Sequence, residues 1–134
     1  MTPALHAPRL EALAAAHQAG LITEHSAATM RDWLTQPRYA EFADDLATRI
    51  DAAIADEAAW KPLDDAYWTV IPFGTGGRRG KMFPVGSNAI NDRTIGESAQ
   101  GLADYVRSVL PAGATPTCAI AYDTRHRSEH FAKL

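Results

Sequence analysis

The densest group of chemically useful residues is a nine-residue segment, the glycine–arginine loop, Phe73-Gly74-Thr75-Gly76-Gly77-Arg78-Arg79-Gly80-Lys81. Its glycines let the backbone adopt positive φ and approach a ligand without a Cβ in the way. Successive N–H groups in such turns form a concave site for anions, and arginine offers a planar fork of donors that matches phosphate oxygens. The segment indicates an anion site, most simply for phosphate. The alternative is an exposed glycine-rich turn with solvated cations.

Two familiar phosphate motifs do not fit the register of this loop. A Walker A motif needs Gly five residues before its Gly-Lys pair and Ser or Thr after it, whereas Thr75 and Met82 stand at those positions. A dinucleotide-binding turn needs a third glycine where this chain has Arg79. The loop is therefore neither a P-loop nor a Rossmann turn.

Composition bounds the class of protein. The chain has 134 residues, enough for about one domain, and a net charge of −3, so no general affinity for nucleic acid or anionic membranes is expected. The single cysteine, Cys118, excludes an internal disulfide framework and is expected to be a small buried residue of a strand. No apolar run approaches the roughly 18 residues of a membrane helix. A cytoplasmic location is therefore expected.

Apolar spacing predicts helix after helix between residues 8 and 59. Gly20 is placed to end the first helix, Thr23 to open the second, and Pro37 to stand in the first turn of the third. The third helix has a broad apolar stripe, which is interpreted as core without chemistry: Tyr39, Phe42, Ala43, Leu46, Ile50, Ala53 and Ile54.

Composition changes at Trp60-Lys61-Pro62, since no glycine or proline occurs from Arg38 to Trp60 and both recur from Pro62 onward. We therefore predict two domains, a helical N-terminal extension over residues 1–59 and an α/β domain over residues 60–134. Burial of Trp60, Tyr67 and Trp68 is expected to anchor one to the other.

The second predicted domain contains one long helix. Thr94 with Glu97 matches a capping box, and Pro111 is placed to end the helix. An almost entirely apolar run, residues 117–122, then predicts a strand covered on both faces.

The order of strand 69–73, helix 94–110 and strand 117–122 predicts a βαβ-type α/β fold with a parallel or mixed sheet. Ligands in such sheets gather beyond the carboxyl ends of strands, where both the glycine–arginine loop and Asp123-Thr124-Arg125 fall. This coincidence favours a functional site over a solvated turn. Two strands rarely form a sheet alone, so the sequence predicts the N-terminal part of a longer protein, with an incomplete α/β domain.

The glycine–arginine loop resembles the FGTxGxRG opening loop of the α-D-phosphohexomutases, the family of phosphoglucomutase and phosphomannomutase. The resemblance spans residues 73–134, whereas the helical region before Trp60 only loosely resembles the N-terminal extensions of some members. Three further blocks continue it in order: Gly86-Ser87-Asn88-Ala89-Ile90-Asn91, Gln100-Gly101-Leu102-Ala103-Asp104-Tyr105, and Tyr122-Asp123-Thr124-Arg125 with Ser128.

The resemblance implies an isomerase, an intramolecular phosphotransferase of carbohydrate metabolism. Such an enzyme interconverts hexose 1-phosphate and hexose 6-phosphate through a phosphoserine and a hexose 1,6-bisphosphate, with Mg²⁺ held by an aspartate-rich loop. Which sugar this chain would serve, glucose, mannose or a pentose, stays open.

The resemblance also implies roles for individual residues. Arg79 matches the arginine beside the phosphoserine and would stabilise the transferring phosphoryl group. Thr75 and Gly76 would shape the substrate-binding loop, and Arg125 matches an Asp-x-Arg motif of the cleft. Arg78 departs from the family, which usually has an apolar residue there, and is expected to alter the loop or add a phosphate contact.

The serine, magnesium, sugar and distal phosphate motifs of the family are absent from these 134 residues. No metal ligand is therefore assigned within the chain, and the chain alone is expected to be inactive without the remainder of a mutase. Partners other than the phosphosugar and that remainder, such as nucleic acid or membrane, are not expected. The alternative function is a non-catalytic helical interaction module, residues 1–59, on a phosphate-binding remnant.

Overall fold

The computed structural model describes residues 3–134, which separate into a unit ending at Asn91 and a second unit, Asp92–Leu134. The first unit contains four α-helices and one β-hairpin: α1 Ala7–Gln18, α2 Glu24–Thr35, α3 Ala40–Ala55, α4 Trp60–Tyr67, β1 Phe73–Gly74 and β2 Gly77–Arg78. A 3-10 turn precedes each of α1, α3 and α4, at Pro3–His6, Pro37–Tyr39 and Glu57–Ala59. The second unit contains α5 Asp92–Val109 and α6 Ser128–Lys133.

The first three helices begin and end close to where local chemistry predicts. Gly20 follows α1 with φ of +73°, a left-handed conformation that glycine adopts without strain. Thr23 caps α2, because its hydroxyl oxygen accepts the backbone N–H of Ser26 at 3.2 Å. Pro37 opens a short 3-10 turn before α3. The three predicted helices are therefore confirmed.

Aromatic side chains organise the core of the first unit around Trp33. Its ring stacks on Tyr39 at 4.8 Å between centroids and meets Tyr67 edge-on at 5.3 Å. Such pairs add about 0.5–1.5 kcal/mol each beyond area burial. The core around Trp33 is almost wholly apolar and includes Leu13, Met30, Leu34, Leu46, Ile50, Leu63 and Val85.

Helix α4 belongs to this same core, although the sequence assigns it to the second domain. Trp60 and Tyr67 are buried as expected, whereas Trp68 is 53% exposed. The predicted domain boundary between residues 59 and 60 stays a prediction. In the structure α4 packs its apolar face on α2 and α3, so the first unit continues past residue 59, and it ends at Asn91.

The predicted strands differ most from the structure. Residues 69–72 form no strand. Among residues 3–134 the strands pair in the hairpin of β1 and β2, and an isolated parallel bridge joins Met82 to Ile90. Residues 117–122 are exposed, Cys118 among them, and form no strand, because the described residues of the second unit offer no neighbouring strand edge. The α/β fold class therefore stays a prediction.

Helix α5 begins at Asp92 rather than after Thr94, so the predicted capping box is wrong. Thr94 lies inside the first turn, and the Glu97 carboxylate accepts a hydrogen bond from Arg93 Nε at 2.7 Å. Pro111 follows the end of the helix as predicted. Within residues 3–134 no helix combines the length and apolar character needed to cross a membrane. A cytoplasmic location stays a prediction.

Candidate anion site

The glycine–arginine loop begins as a tight antiparallel hairpin. Phe73 pairs with Arg78 and Gly74 with Gly77, which leaves Thr75 and Gly76 as the two turn residues. Gly77 has φ of +100°, a conformation that disfavours any residue with a Cβ. The turn is exposed, so its backbone N–H groups are accessible to a ligand from solvent.

Arg79 emerges from this hairpin with its side chain folded over Gly76. A Cβ built on Gly76 would lie 3.1 Å from Nη2 of Arg79, which is tighter than ordinary van der Waals contact. A side chain at Gly76 would require the guanidinium to shift by a few tenths of an ångström. The candidate catalytic arginine and the candidate loop-shaping glycine are neighbours in the structure as well as in sequence.

A cavity of about 410 Å³ lies beside Arg79, within the first unit. Its size is in the usual range for small-molecule sites. The lining combines two cations, a carboxylate, an amide and apolar surface: Pro62, Asp65, Ala66, Trp68, Arg79, Gly80, Lys81, Met82, Phe83, Asn88 and Ala89.

The charges around this cavity favour an anion. Asp65 forms a salt bridge with Lys61 of the same helix, in which Lys61 Nζ lies 2.6 Å from Asp65 Oδ1. This hydrogen bond raises the pKa of Lys61 above its ordinary value. Because Lys61 balances the carboxylate, the positive charges of Arg79 and Lys81 dominate the field of the cavity.

Backbone bonds to a following segment hold the loop in place. The Ile71 N–H donates to the Ser87 carbonyl at 2.8 Å, and the Ile90 N–H donates to the Lys81 carbonyl at 2.8 Å. The Ser87 hydroxyl also donates to the Thr69 carbonyl at 2.7 Å. Both ends of the glycine–arginine loop are therefore anchored.

The remaining predicted site residues have different surroundings. Arg78 is half-buried in β2, and Thr75 is exposed in the turn. Arg125 belongs to the second unit, where its Nε donates to Asp123 Oδ2 at 2.8 Å. The Arg125 N–H and guanidinium lower the pKa of the Asp123 carboxyl below its ordinary value. The roles assigned to these residues stay predictions.

Sequence reasoning missed four residues that line the cavity: Asp65, Trp68, Lys81 and Asn88. Lys81 lies within the glycine–arginine loop, and its positive charge could have identified it as a candidate anion ligand. The other three reach the cavity through the packing of α4, which no local pattern reveals.

The described residues, 3–134, contain no group of three or more His, Cys, Asp or Glu side chains placed to hold a metal ion. The magnesium ion and the hexose 1,6-bisphosphate stay predictions.

Curated relatives of the chain include proteins named phosphoglucomutase. One, from Staphylococcus epidermidis, is 42% identical over 66 residues, and another, from Staphylococcus aureus, is 39% identical over 70 residues. The matches cover 49% and 52% of this chain but only 11% and 12% of the relatives' own length. No protein-family model and no solved structure matches the chain. About half of the chain is thus similar to a short part of phosphoglucomutases, which supports a relationship to isomerases of carbohydrate metabolism.

Proposed function

We propose that the chain forms the N-terminal part of a phosphosugar mutase, which interconverts hexose 1-phosphate and hexose 6-phosphate through a phosphoserine and a bisphosphate. The observation that carries this proposal is the 39–42% identity of about half the chain to phosphoglucomutases. The substrate, the bisphosphate, the magnesium ion, the rest of the mutase chain as partner and the cytoplasmic location are all parts of this proposal.

The geometry supports a phosphate-binding role for the glycine–arginine loop. Arg79 and Lys81 line one cavity, and the exposed turn at Thr75 and Gly76 lies directly before them. In the proposed reaction the guanidinium of Arg79 stabilises charge on the transferring phosphoryl group. Preorganised donors of this kind act by electrostatics and need no covalent chemistry of their own.

Titration of the 134-residue chain with inorganic phosphate tests the anion site directly. Backbone amide resonances of Gly74, Gly76 and Gly80 should shift on addition of phosphate, and Arg79→Leu should abolish the shifts. Arg31→Leu removes an exposed arginine of α2 and is the matched control, expected to bind as the wild type does. Shifts that survive in Arg79→Leu would overturn the role of this arginine.

Turnover tests the proposed reaction. The purified 134-residue chain should not convert glucose 1-phosphate to glucose 6-phosphate, since it lacks the serine and magnesium motifs. A chain extended with those motifs should convert it. Turnover by the short chain above a contaminant control would contradict the proposal, and so would an extended chain that binds phosphate without turnover.

A further inference from the structure

The residue that connects helix α4 to the cation side of the cavity is Asn88. Its side-chain Nδ2 donates to the Asp65 carbonyl at 2.9 Å, and its backbone N–H donates to the Ala66 carbonyl at 2.8 Å. The last carbonyls of a helix have no partner within the helix, so both bonds satisfy groups that would otherwise need water. Asn88 is thereby fixed to the end of α4.

On its other side Asn88 lies against Gly80, the residue between Arg79 and Lys81. A Cβ built on Gly80 would lie 3.9 Å from the Asn88 carbonyl oxygen and only 2.7 Å from Cδ1 of Ile71. A side chain at Gly80 would displace the tip of the Ile71 side chain, and it would lie at ordinary van der Waals distance from the Asn88 carbonyl.

The segment that carries Asn88 is itself held close to α4. Gly86 has φ of +109°, and a Cβ there would lie 2.5 Å from the Ala66 carbonyl oxygen. Two residues after Asn88, the Ile90 N–H bonds to the Lys81 carbonyl at 2.8 Å. The segment thus runs from the end of α4 to the backbone of Lys81, with the Asn88 side chain as its attachment to Asp65.

We infer that Asn88 is a positioning residue for the phosphate site: its bonds to the end of α4 fix the segment that bonds to the Lys81 backbone, and so set the direction in which Arg79 and Lys81 face the cavity. This inference rests on the proposed phosphate-binding function of the loop. Asn88 itself needs no contact with the ligand. Small displacements of positioned groups weaken a site without removing it, because the cations are kept and only their geometry changes.

The first test compares Asn88→Ala with wild type in the 134-residue chain, using inorganic phosphate as the probe and glycine amide shifts as the readout. Loss of one hydrogen bond that orders the site should weaken phosphate binding about two- to tenfold. The matched control is Ser26→Ala in α2. This variant removes a 2.6 Å hydrogen bond from Ser26 to Asp64 of α4, the helix that Asn88 also contacts, but it changes no contact of the loop. A purely structural effect of loosening α4 would weaken phosphate binding in both variants.

Amide exchange of Ile90 gives a second readout that does not need phosphate. The Ile90 amide should exchange faster in Asn88→Ala and in the near-isosteric Asn88→Asp, whose carboxylate cannot donate to the Asp65 carbonyl. It should be unchanged in Ser26→Ala. Because Asn88→Asp keeps the size of the side chain, it answers the question if Asn88→Ala does not fold.

The outcomes separate this inference from the proposed function. The positioning role would be overturned, and the anion site kept, if Asn88→Ala bound phosphate with the same affinity as wild type. An unchanged rate of Ile90 amide exchange in Asn88→Asp would have the same meaning. Absence of phosphate binding by wild type would instead overturn the anion site, and the positioning of a phosphate site with it.

Discussion

The two units of the chain differ in how far the apolar side chains of their helices are buried. In the first unit the middle of the α3 stripe is closed off from solvent, with Leu46 and Ile50 fully buried, whereas Ile54 at its end is 54% exposed and was wrongly assigned to the core. In the second unit Leu102 and Tyr105 of α5 are 52% and 64% exposed. Both helices have an amphipathic pattern in the sequence, yet among the described residues α5 leaves more of its large apolar side chains uncovered than α3 does.

The comparison shows what helical periodicity does and does not determine. Periodicity selects the face that should be buried, whereas a partner surface determines whether burial occurs. Helix α3 has α2 and α4 as partners, and its burial stabilises the unit. Stability should therefore lie mainly in that buried core, whereas the candidate chemistry lies on an exposed loop.

Hydrogen exchange should show the largest difference. Amides of residues 40–55 should exchange only on global unfolding, whereas those of residues 117–122 should exchange almost freely. A stability of at least 5 kcal/mol corresponds to protection of roughly a thousandfold or more. Exchange measured by mass spectrometry should separate the two segments. Strong protection of residues 117–122 would show that they pair with another strand or another chain.

Truncation of the central aromatic side chain should strongly destabilise the first unit. Trp33→Ala should lower the free energy of unfolding by about 3–5 kcal/mol, because it leaves a cavity under Tyr39, Phe42 and Tyr67. Leu102→Ala on the exposed face of α5 should change it by less than about 0.5 kcal/mol. Denaturant titration of both variants measures the contrast, and similar losses would place Leu102 in a core.

Features that depend on interactions between residues close in the sequence could be predicted, whereas features that depend on distant residues could not. The cap at Thr23 and the end of α1 at Gly20 were predicted correctly, since each depends on neighbouring residues. The strand at 117–122 was predicted from composition, but a strand also needs a partner that composition does not show. The contact of Asp64 with Thr23 joins residues 41 positions apart, and nothing local announces it.

The same limit applies to the candidate site. The glycines and arginines of the loop were recognisable because the residues that form the turn are consecutive. Trp68 and Asn88 join them at the cavity only through the way residues 86–91 pack on α4, so their place depended on the structure.

Loss of the bidentate arginine should affect catalysis and leave stability unchanged. In a full-length mutase carrying this segment, Arg79→Lys keeps the charge but loses the planar fork, so kcat should fall by about 10²–10³ while KM changes little. Arg78→Leu, which restores the residue type usual in the resembling family, should be far milder. Steady-state kinetics beside melting curves measures both. A large fall in Tm for Arg79→Lys would make the loop structural instead.

The contact between α2 and α4 should make stability depend on acid pH. Partial burial alone would raise the pKa of Asp64, but hydrogen bonds from Ser26 and Thr23 outweigh it and hold the pKa below the ordinary value of 3.8. Stabilisation by this carboxylate is therefore complete above that ordinary value. It is lost as the pH falls through the lower folded pKa.

Asp64→Asn tests this pH dependence. The variant should be less stable by about 1–2 kcal/mol at pH 7, and the difference from wild type should shrink as the pH falls below about 4. Urea unfolding from pH 7 to pH 2.5 measures it. Asp44→Asn, at an exposed position of α3, is the matched control and should show no such convergence. A constant difference at all pH values would indicate a packing effect and not a charge effect.

A small effect is expected for one change in the middle of the core. Burial raises the pKa of Tyr67 well above its ordinary value, so the phenol stays neutral, and its hydroxyl has no hydrogen-bond partner among the described residues. Removing an unsatisfied buried hydroxyl loses no bond, so Tyr67→Phe should leave the free energy of unfolding unchanged or raise it by up to about 1 kcal/mol. Tyr67→Ala, which also removes the ring packed on Trp33, should instead cost about 3–5 kcal/mol. A loss above about 1 kcal/mol in Tyr67→Phe would mean that a bound water or another group satisfies the hydroxyl. In that case the core would be held by a polar contact as well as by aromatic packing.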